Sequence, residues 1–208
     1  MSEYTLDTNA AKQADTGGGR ITESGKYVGQ FTKAKKVISK KGTQGIEFSF
    51  ESIGGQKADY LSVWTLNAEG EQIYGFKQLM AIMTCLKVRS LDASAATVEE
   101  YDSGSGGMKQ KNIEAYTALQ NKPVGILLQM EEYKKKDGSA GEKPLFAGFF
   151  DAQTEQVATE ILDKSEAKIL SKLVGQLTSI RKLKSDKFQV EPALYSTPDN
   201  LQDDDIPF

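Results

Sequence analysis

Apolar and polar residues alternate along much of the region 25–151, which is the pattern of half-buried β-strands. The clearest case is Ile-Glu-Phe-Ser-Phe-Glu at 46–51, in which every second side chain is apolar. We expect its apolar side chains to face the core and its glutamates to face outward. Glycine-containing turns separate it from other predicted strands, which lie at 27–39, 60–65, 123–133 and 145–151.

A helical repeat replaces this alternation in two places. Apolar residues from Phe76 to Leu86 recur three or four positions apart and predict a helix over 76–87. A second apolar stripe, from Leu162 to Ile180, predicts a helical segment over 152–186 that is interrupted near 163–166. We expect this stripe to pack on the barrel or on a second subunit. Residues 90–112 are predicted to be a loop and 113–119 a short helical turn.

The order of these elements predicts the fold class. Three strands, a helix and two strands are the order of an OB-fold, a five-stranded Greek-key barrel with a helix between strands 3 and 4. We therefore expect a mainly β domain at 25–151, followed by the helical segment at 152–186. The polar residues 1–24 are interpreted as a flexible arm, and 187–208 as a disordered acidic tail.

Composition excludes several kinds of catalyst. The 208 residues include no histidine and one cysteine, Cys85. Ser-His-Asp and Cys-His systems and thiolate or imidazole zinc sites therefore cannot be built within the chain. We expect no enzymatic activity, no cofactor and no metal. With no apolar stretch of membrane-spanning length and no secretory signal pattern, we expect a cytoplasmic protein without membrane contact.

Charge is distributed unevenly along the chain. The net charge is −3, but residues 191–208 hold five acids and no Lys or Arg. Residues 1–190 therefore carry 26 basic against 24 acidic residues, a net +2. A mildly basic body with an acidic tail is compatible with nucleic-acid binding and does not by itself establish it.

The last six residues carry the most specific signal in the sequence. Three acids precede Ile-Pro-Phe and the terminal carboxylate. Apolar residues at the end of a disordered tail do not reach a core, so we interpret them as an anchor for a partner protein. A solubilising end would not explain the Ile-Pro-Phe, and an acidic metal cluster normally needs a rigid frame. The predicted protein-interaction residues are Asp203, Asp204, Asp205, Ile206, Pro207 and Phe208.

Two segments resemble single-stranded DNA-binding proteins. The ending Asp-Asp-Asp-Ile-Pro-Phe resembles the tip of the bacterial proteins, which in that family docks on replication, recombination and repair enzymes. The segment 25–35, Gly-Lys-Tyr-Val-Gly-Gln-Phe-Thr-Lys-Ala-Lys, with Ser-Lys-Lys-Gly-Thr at 39–43, is similar to the opening strand of phage-encoded members. The middle of the chain and its linker to the tip depart from the bacterial pattern. The resemblance therefore implies a phage-type protein and leaves the bacterial tetramer open.

Single-strand binders combine a basic groove with aromatic platforms for bases. In an OB-fold that surface lies on strands 2 and 3 and the loops after strands 1 and 4. Alternation in strand 3 puts Tyr60 and Trp64 on the face opposite Leu61 and Val63, although a lone Trp in a domain of this size is more often a core residue. Outward acids on strand 2 count against this face. The candidate DNA-binding residues are Lys33, Lys35, Lys36, Lys40, Lys41, Tyr60, Trp64, Tyr133, Lys134, Lys135 and Lys136, with Tyr74, Lys143 and Phe146 in second rank.

The sequence thus predicts a protein that coats exposed single strands during replication, recombination and repair and recruits enzymes through its tip. A homo-oligomer is left open. Three alternatives remain: a strand-annealing recombination mediator, a carboxylate-dependent nuclease with a similar tip, and an adaptor whose barrel binds only protein. An annealing assay tests the first and a nuclease assay with magnesium the second, and titration with oligo-dT and duplex DNA shows whether the chain binds DNA at all.

Overall fold

The computed structural model describes residues 18–182, except 103, 105 and 136. Within these residues the chain is mainly β, with seven strands in one antiparallel sheet and three α-helices. The strands are β1 (Gly25–Ile38), β2 (Gln44–Ser52), β3 (Lys57–Leu66), β4 (Ser94–Asp102), β5 (Gly107–Ala115), β6 (Pro123–Lys134) and β7 (Ala140–Phe150). The helices are α1 (Tyr74–Cys85), α2 (Ala158–Asp163) and α3 (Ile169–Gly175), with a 3₁₀ turn at Thr117–Leu119.

Strand β1 organises the sheet because it pairs with strands on both sides. It pairs with β2 along most of its length, and β2 pairs with β3. On its other side, the first half of β1 pairs with β6, which in turn pairs with β7. Residues of β3 and β7 approach each other, but the pairing describes an open sheet rather than a closed barrel. The prediction of a mainly β fold is confirmed.

The alternation predicted for β2 and β3 is confirmed. Ile46, Phe48 and Phe50 are buried, as are Leu61 and Val63 on β3. They form the main core with aromatic rings from β1 and β7, and α1 covers one side of it through buried apolar residues. The predicted helix therefore exists, and it begins and ends two residues earlier than predicted.

The region 90–112 contains structure where a loop was predicted. β4 and β5 form a hairpin whose register runs unbroken from Ser94–Ala115 to Asp102–Gly107. It joins β1 at one position, Lys35 opposite Ala115. The predicted helical turn at 113–119 is correct only for its second half, since 113–115 end β5. The prediction failed because the hairpin shows no apolar alternation, and residues 94–98 and 109–114 are exposed or half-buried.

The C-terminal segment is less helical than predicted. The interruption at 163–166 is confirmed, but α3 is a short helix rather than a longer continuation. Leu170 and Leu173 of the predicted stripe pack with Leu127 and Phe150 in a second core, so the stripe packs on the sheet. Leu162 is instead exposed.

Ordered structure begins before Gly25, contrary to the prediction of a flexible arm up to residue 24. Ile21 is fully buried in the main core, and its N–H donates to the Lys57 carbonyl at 2.7 Å. Ser24 donates from its hydroxyl to the Ser179 carbonyl at 2.8 Å. A single apolar residue within a polar segment gives no periodic signal, so only the tertiary structure reveals this contact.

Candidate nucleic-acid interface

The outer surface of the sheet, opposite the main core, has a covered half and an open half. Helix α3 packs over β6, β7 and the start of β1, where Val28 joins the second core. Lys26 on the same part of β1 is ion-paired with Glu155. Within the described residues, the second core does not extend to the second half of β1 or to the adjoining parts of β2 and β3. We call this surface the open face; its side chains are Lys33, Lys35, Glu47, Tyr60, Ser62 and Trp64.

Tyr60 projects from an irregularity in β3. The register between β2 and β3 shifts between Phe48 and Phe50, so that β3 has an extra residue there. Tyr60 occupies this bulge with a φ of 61°, in the left-handed region that tyrosine rarely adopts. Its side chain is 70% exposed. Bulges often redirect a side chain beside a functional site, and an exposed aromatic held in a strained conformation contributes little to the core.

Lys33 connects the charged and aromatic parts of the open face. Its Nζ donates to Glu47 Oε1 at 3.0 Å, with both side chains more than four-fifths shielded from solvent. The same Nζ lies 5.6 Å from the centroid of the Tyr60 ring, within cation–π range. The outward acid that counts against this face in the sequence is therefore paired with a lysine on the neighbouring strand. Glu51, the other outward acid of β2, lies 3.9 Å from Lys57 Nζ.

Trp64 lies on the open face and is half-buried, as alternation along β3 predicts. It is paired with Gly45 on β2, and its ring lies against the glycine backbone. A Cβ at position 45 would be 2.9 Å from Trp64 Cε3 and 2.5 Å from the Val63 carbonyl oxygen, so no larger residue fits. The indole is thus supported from below by the sheet, and part of it remains accessible to solvent.

Only some of the predicted DNA-binding lysines lie on or beside the open face. Lys35 is paired with Glu47 in the strand register and lies on the open face. Lys40 and Lys41 are exposed in the turn after β1. Lys36 lies on the opposite side of β1, where its Nζ is 3.0 Å from Glu114 Oε2; the hydrogen bond and charge of Glu114 raise the pKa of this ammonium.

A second group lies at the turn between β6 and β7. Tyr133 is half-exposed, with its ring against Gly141 and Lys143 Nζ 5.8 Å from the ring centroid. Lys134 and Lys135 are exposed beside it, and Lys136 lies outside the described residues. Gly25, the first residue of β1, pairs with Leu128 of β6, so the β6–β7 turn lies beyond the start of β1. The turn with Lys40 and Lys41 follows the other end of β1. The two groups of lysines are therefore at opposite ends of β1.

The two aromatic candidates of second rank differ in their surroundings. Phe146 is buried, and its ring packs edge-on against Phe31 and Phe48, so it is a core residue and not a stacking platform. Tyr74 begins α1 and is half-buried.

Sequence reasoning missed two exposed lysines on β5, Lys109 and Lys111. They lie in the region 90–112, for which the sequence predicts a loop, and the direction of a loop side chain does not follow from alternation. The signal that could have found them is the pair of nine-residue segments on either side of a glycine-rich turn, which is typical of a hairpin.

The cysteine and the potential metal ligands in the described part of the chain do not form a reactive site. Cys85 is buried in the main core, and desolvation raises the pKa of its thiol to about 12. Among residues 18–182 that the structure describes, no three His, Cys, Asp or Glu side chains are grouped as a metal site. No helix in this region combines the length and apolar character needed to cross a membrane.

The predicted protein-interaction tip, 203–208, lies outside the described residues. Comparison of the chain with protein-family models and with curated proteins returns no match.

Proposed function

We propose that this chain is a single-stranded DNA-binding protein of the OB-fold type, which binds DNA through the open face and recruits enzymes through its C-terminal tip. The strand pairings support the OB architecture. A β1–β2–β3 meander, the β1–β6 and β6–β7 pairs, and a helix following β3 are those expected of that fold. In this interpretation the β4–β5 hairpin is an insertion between the helix and the fourth barrel strand.

The conformation of Tyr60 is the observation that carries the DNA-binding proposal. A tyrosine in the left-handed region costs about 1–2 kcal/mol relative to an ordinary strand conformation. Its ring is largely exposed and returns little of that cost through burial. An aromatic residue that does not serve the fold, on a surface that also carries a half-exposed indole and two lysines, matches the stacking platforms of single-strand binders.

On this face the aromatic residues bind the bases and the lysines bind the phosphates. Bases stack on Tyr60 and Trp64, whose π-faces accept any base, so little sequence preference is expected. Lys33 is held by Glu47 against the Tyr60 ring and sets the position of that platform. Phosphates are bound by the more exposed lysines around the face, Lys35, Lys40 and Lys41. The group at Tyr133, Lys134 and Lys135 binds the strand as it leaves the face.

The tip recruits partner enzymes to the bound strand. Phe208 fills an apolar pocket on the partner, while Asp203 to Asp205 meet basic residues around that pocket. This proposal rests on the sequence, where an apolar anchor follows three acids. A coating protein with such a tip would act in DNA replication, recombination and repair.

Titration of the full chain with oligo-dT and with duplex DNA tests the central proposal. Trp64 is the only tryptophan, so its fluorescence reports directly on the open face. We expect quenching by oligo-dT and at least about tenfold weaker binding of duplex, with a log–log salt slope of about −0.7 per phosphate neutralised. Equal affinity for the duplex, or no binding of either, would overturn the proposal. Annealing of complementary strands or cleavage with magnesium would instead favour the alternatives.

A further inference from the structure

We propose that the open face recognises one base of the bound strand in a subsite between Tyr60 and Trp64, where Glu47 accepts a hydrogen bond from an amino group of the base. The inference rests on the proposed function and names the preferred ligand of the same surface, a single strand with an amino-bearing base such as cytosine at this position. It gives a role to the acidic side chain that lies among the lysines and aromatic residues of the open face.

The register between β2 and β3 places Glu47 at the centre of the open face. Glu47 is directly opposite Ser62 on β3, and side chains of directly opposed residues lie about 5 Å apart. Ser62 is two residues from Tyr60 and two residues from Trp64, so each aromatic residue is about 7 Å away along the strand. The Glu47 carboxylate and the Ser62 hydroxyl therefore lie between the two platforms.

The spacing of the platforms leaves room for a base between them. Tyr60 and Trp64 are four residues apart on β3, which is about 13 Å. The contact of Lys33 with the Tyr60 ring shows that this ring points to the open face despite the bulge. Neighbouring bases in a stacked strand are only about 3.4 Å apart. Bases on the two platforms are therefore not neighbours in the strand, and at least one nucleotide passes over the exposed Ser62.

A carboxylate on a DNA-binding surface repels phosphates, but it is a good acceptor for the amino group of a base. Lys33 Nζ donates to Glu47 Oε1 at 3.0 Å, which holds the carboxylate in place beside the Tyr60 platform. The Glu47 side chain is 19% exposed, so it meets the solvent through part of the carboxylate and not as a freely moving side chain. With Oε1 bound to Lys33, Oε2 is the oxygen that accepts from the base.

The donors and acceptors of the bases give this subsite a preference. Cytosine presents its N4 amino group as a donor, whereas thymine and uracil present the O4 carbonyl at the same position, which repels a carboxylate. Stacking on Tyr60 and Trp64 accepts any base, so the preference comes from the subsite alone. We expect a discrimination of about fivefold between cytosine and uracil, which is the size of one net hydrogen bond.

Titration of the full chain with labelled oligo-dC and oligo-dU tests the subsite, since these two pyrimidines differ at the amino group and every register of a homopolymer presents the same base. In mildly alkaline buffer, the wild type should bind oligo-dC about fivefold tighter. In Glu47→Gln, Lys33 keeps the amide oxygen because an ammonium group only donates, so the amide NH₂ replaces Oε2. This donor matches uracil O4, and the ratio of the two affinities should fall to about one or below. The control Glu51→Gln removes the same charge from the other outward acid of β2 and should keep the wild-type ratio.

The ratio of affinities separates base recognition from a purely structural role of Glu47. If Glu47 only positioned Lys33, its substitution would change both affinities by the same factor and leave the ratio unchanged. Binding of neither oligonucleotide by the wild type would refute the proposed function. Equal or tighter binding of oligo-dU by the wild type, a preference for oligo-dC that survives in Glu47→Gln, or the same loss of preference in Glu51→Gln would refute only the base-recognising subsite.

Discussion

Replacing Tyr60 by asparagine should lower DNA affinity without lowering stability. Tyrosine at a φ of 61° costs about 1–2 kcal/mol, whereas asparagine is among the residues that tolerate this region. The tyrosine side chain is 70% exposed, so little buried apolar surface is lost. The substitution also removes the cation–π contact of Lys33 Nζ, which lies 5.6 Å from the Tyr60 ring centroid. Losing this contact costs about 0.5–1 kcal/mol and offsets part of the strain energy that is released. We therefore expect the free energy of unfolding to be unchanged or to rise by up to about 1.5 kcal/mol.

The same substitution, Tyr60→Asn, should weaken the binding of single-stranded DNA. A base stacked on an aromatic side chain contributes about 1–3 kcal/mol, which corresponds to a loss of about 5- to 150-fold in affinity. Tyr60→Phe keeps the ring and should bind nearly as the wild type. Ile53→Ala removes another exposed apolar side chain, 80% accessible at the β2–β3 turn, and should leave binding unchanged.

Urea unfolding followed by circular dichroism gives the stability, and fluorescence anisotropy of labelled oligo-dT gives the affinity. Both are measured for the four proteins under the same buffer conditions. The reasoning is refuted if Tyr60→Asn binds oligo-dT as tightly as the wild type. It is also refuted if the variant loses more than about 1 kcal/mol of stability, because Tyr60 would then serve the fold.

Three further predictions follow from particular contacts. Glu160 is buried and its carboxylate accepts from three backbone N–H groups at 2.6–2.9 Å; burial alone would raise its pKa, but these bonds hold the pKa below its usual range. Its contribution to stability is complete above the pKa of an unfolded glutamate, about 4.3, and is lost as the pH falls through the lower folded-state value. Glu160→Gln should thus lower the free energy of unfolding by about 1.5–3 kcal/mol at neutral pH and by less in acid. The control Glu166→Gln, at an exposed position, should leave it unchanged. A loss from Glu160→Gln that is the same at all pH values in urea unfolding would contradict this reasoning. Gly45→Ala should lower stability by about 1–3 kcal/mol and shift the emission of Trp64, because the added Cβ meets β3; an unchanged spectrum and midpoint would exclude that contact. Phe208→Ala should abolish recovery of replication and repair proteins from bacterial lysate while leaving oligo-dT affinity intact, and recovery equal to the wild type would exclude the tip as the anchor.

The sequence determined the elements whose side chains are partitioned between core and solvent. Burying Ile46, Phe48 and Phe50 requires a period of two, and burying one side of α1 requires a period near 3.6, so both elements follow from the order of residues alone. The positions of Tyr60 and Trp64 on one face also follow from alternation along β3. The interpretation of residues 203–208 rests on the sequence alone, because they lie outside the described residues.

Only the tertiary structure decided which of the candidate residues meet. The Lys33–Glu47 pair, the bulge at Tyr60 and the support of Trp64 by Gly45 all depend on the register between strands, which no single strand encodes. The β4–β5 hairpin was missed for a related reason. Its two strands are held in register by pairing with each other, and pairing between strands leaves no periodic signal in the sequence.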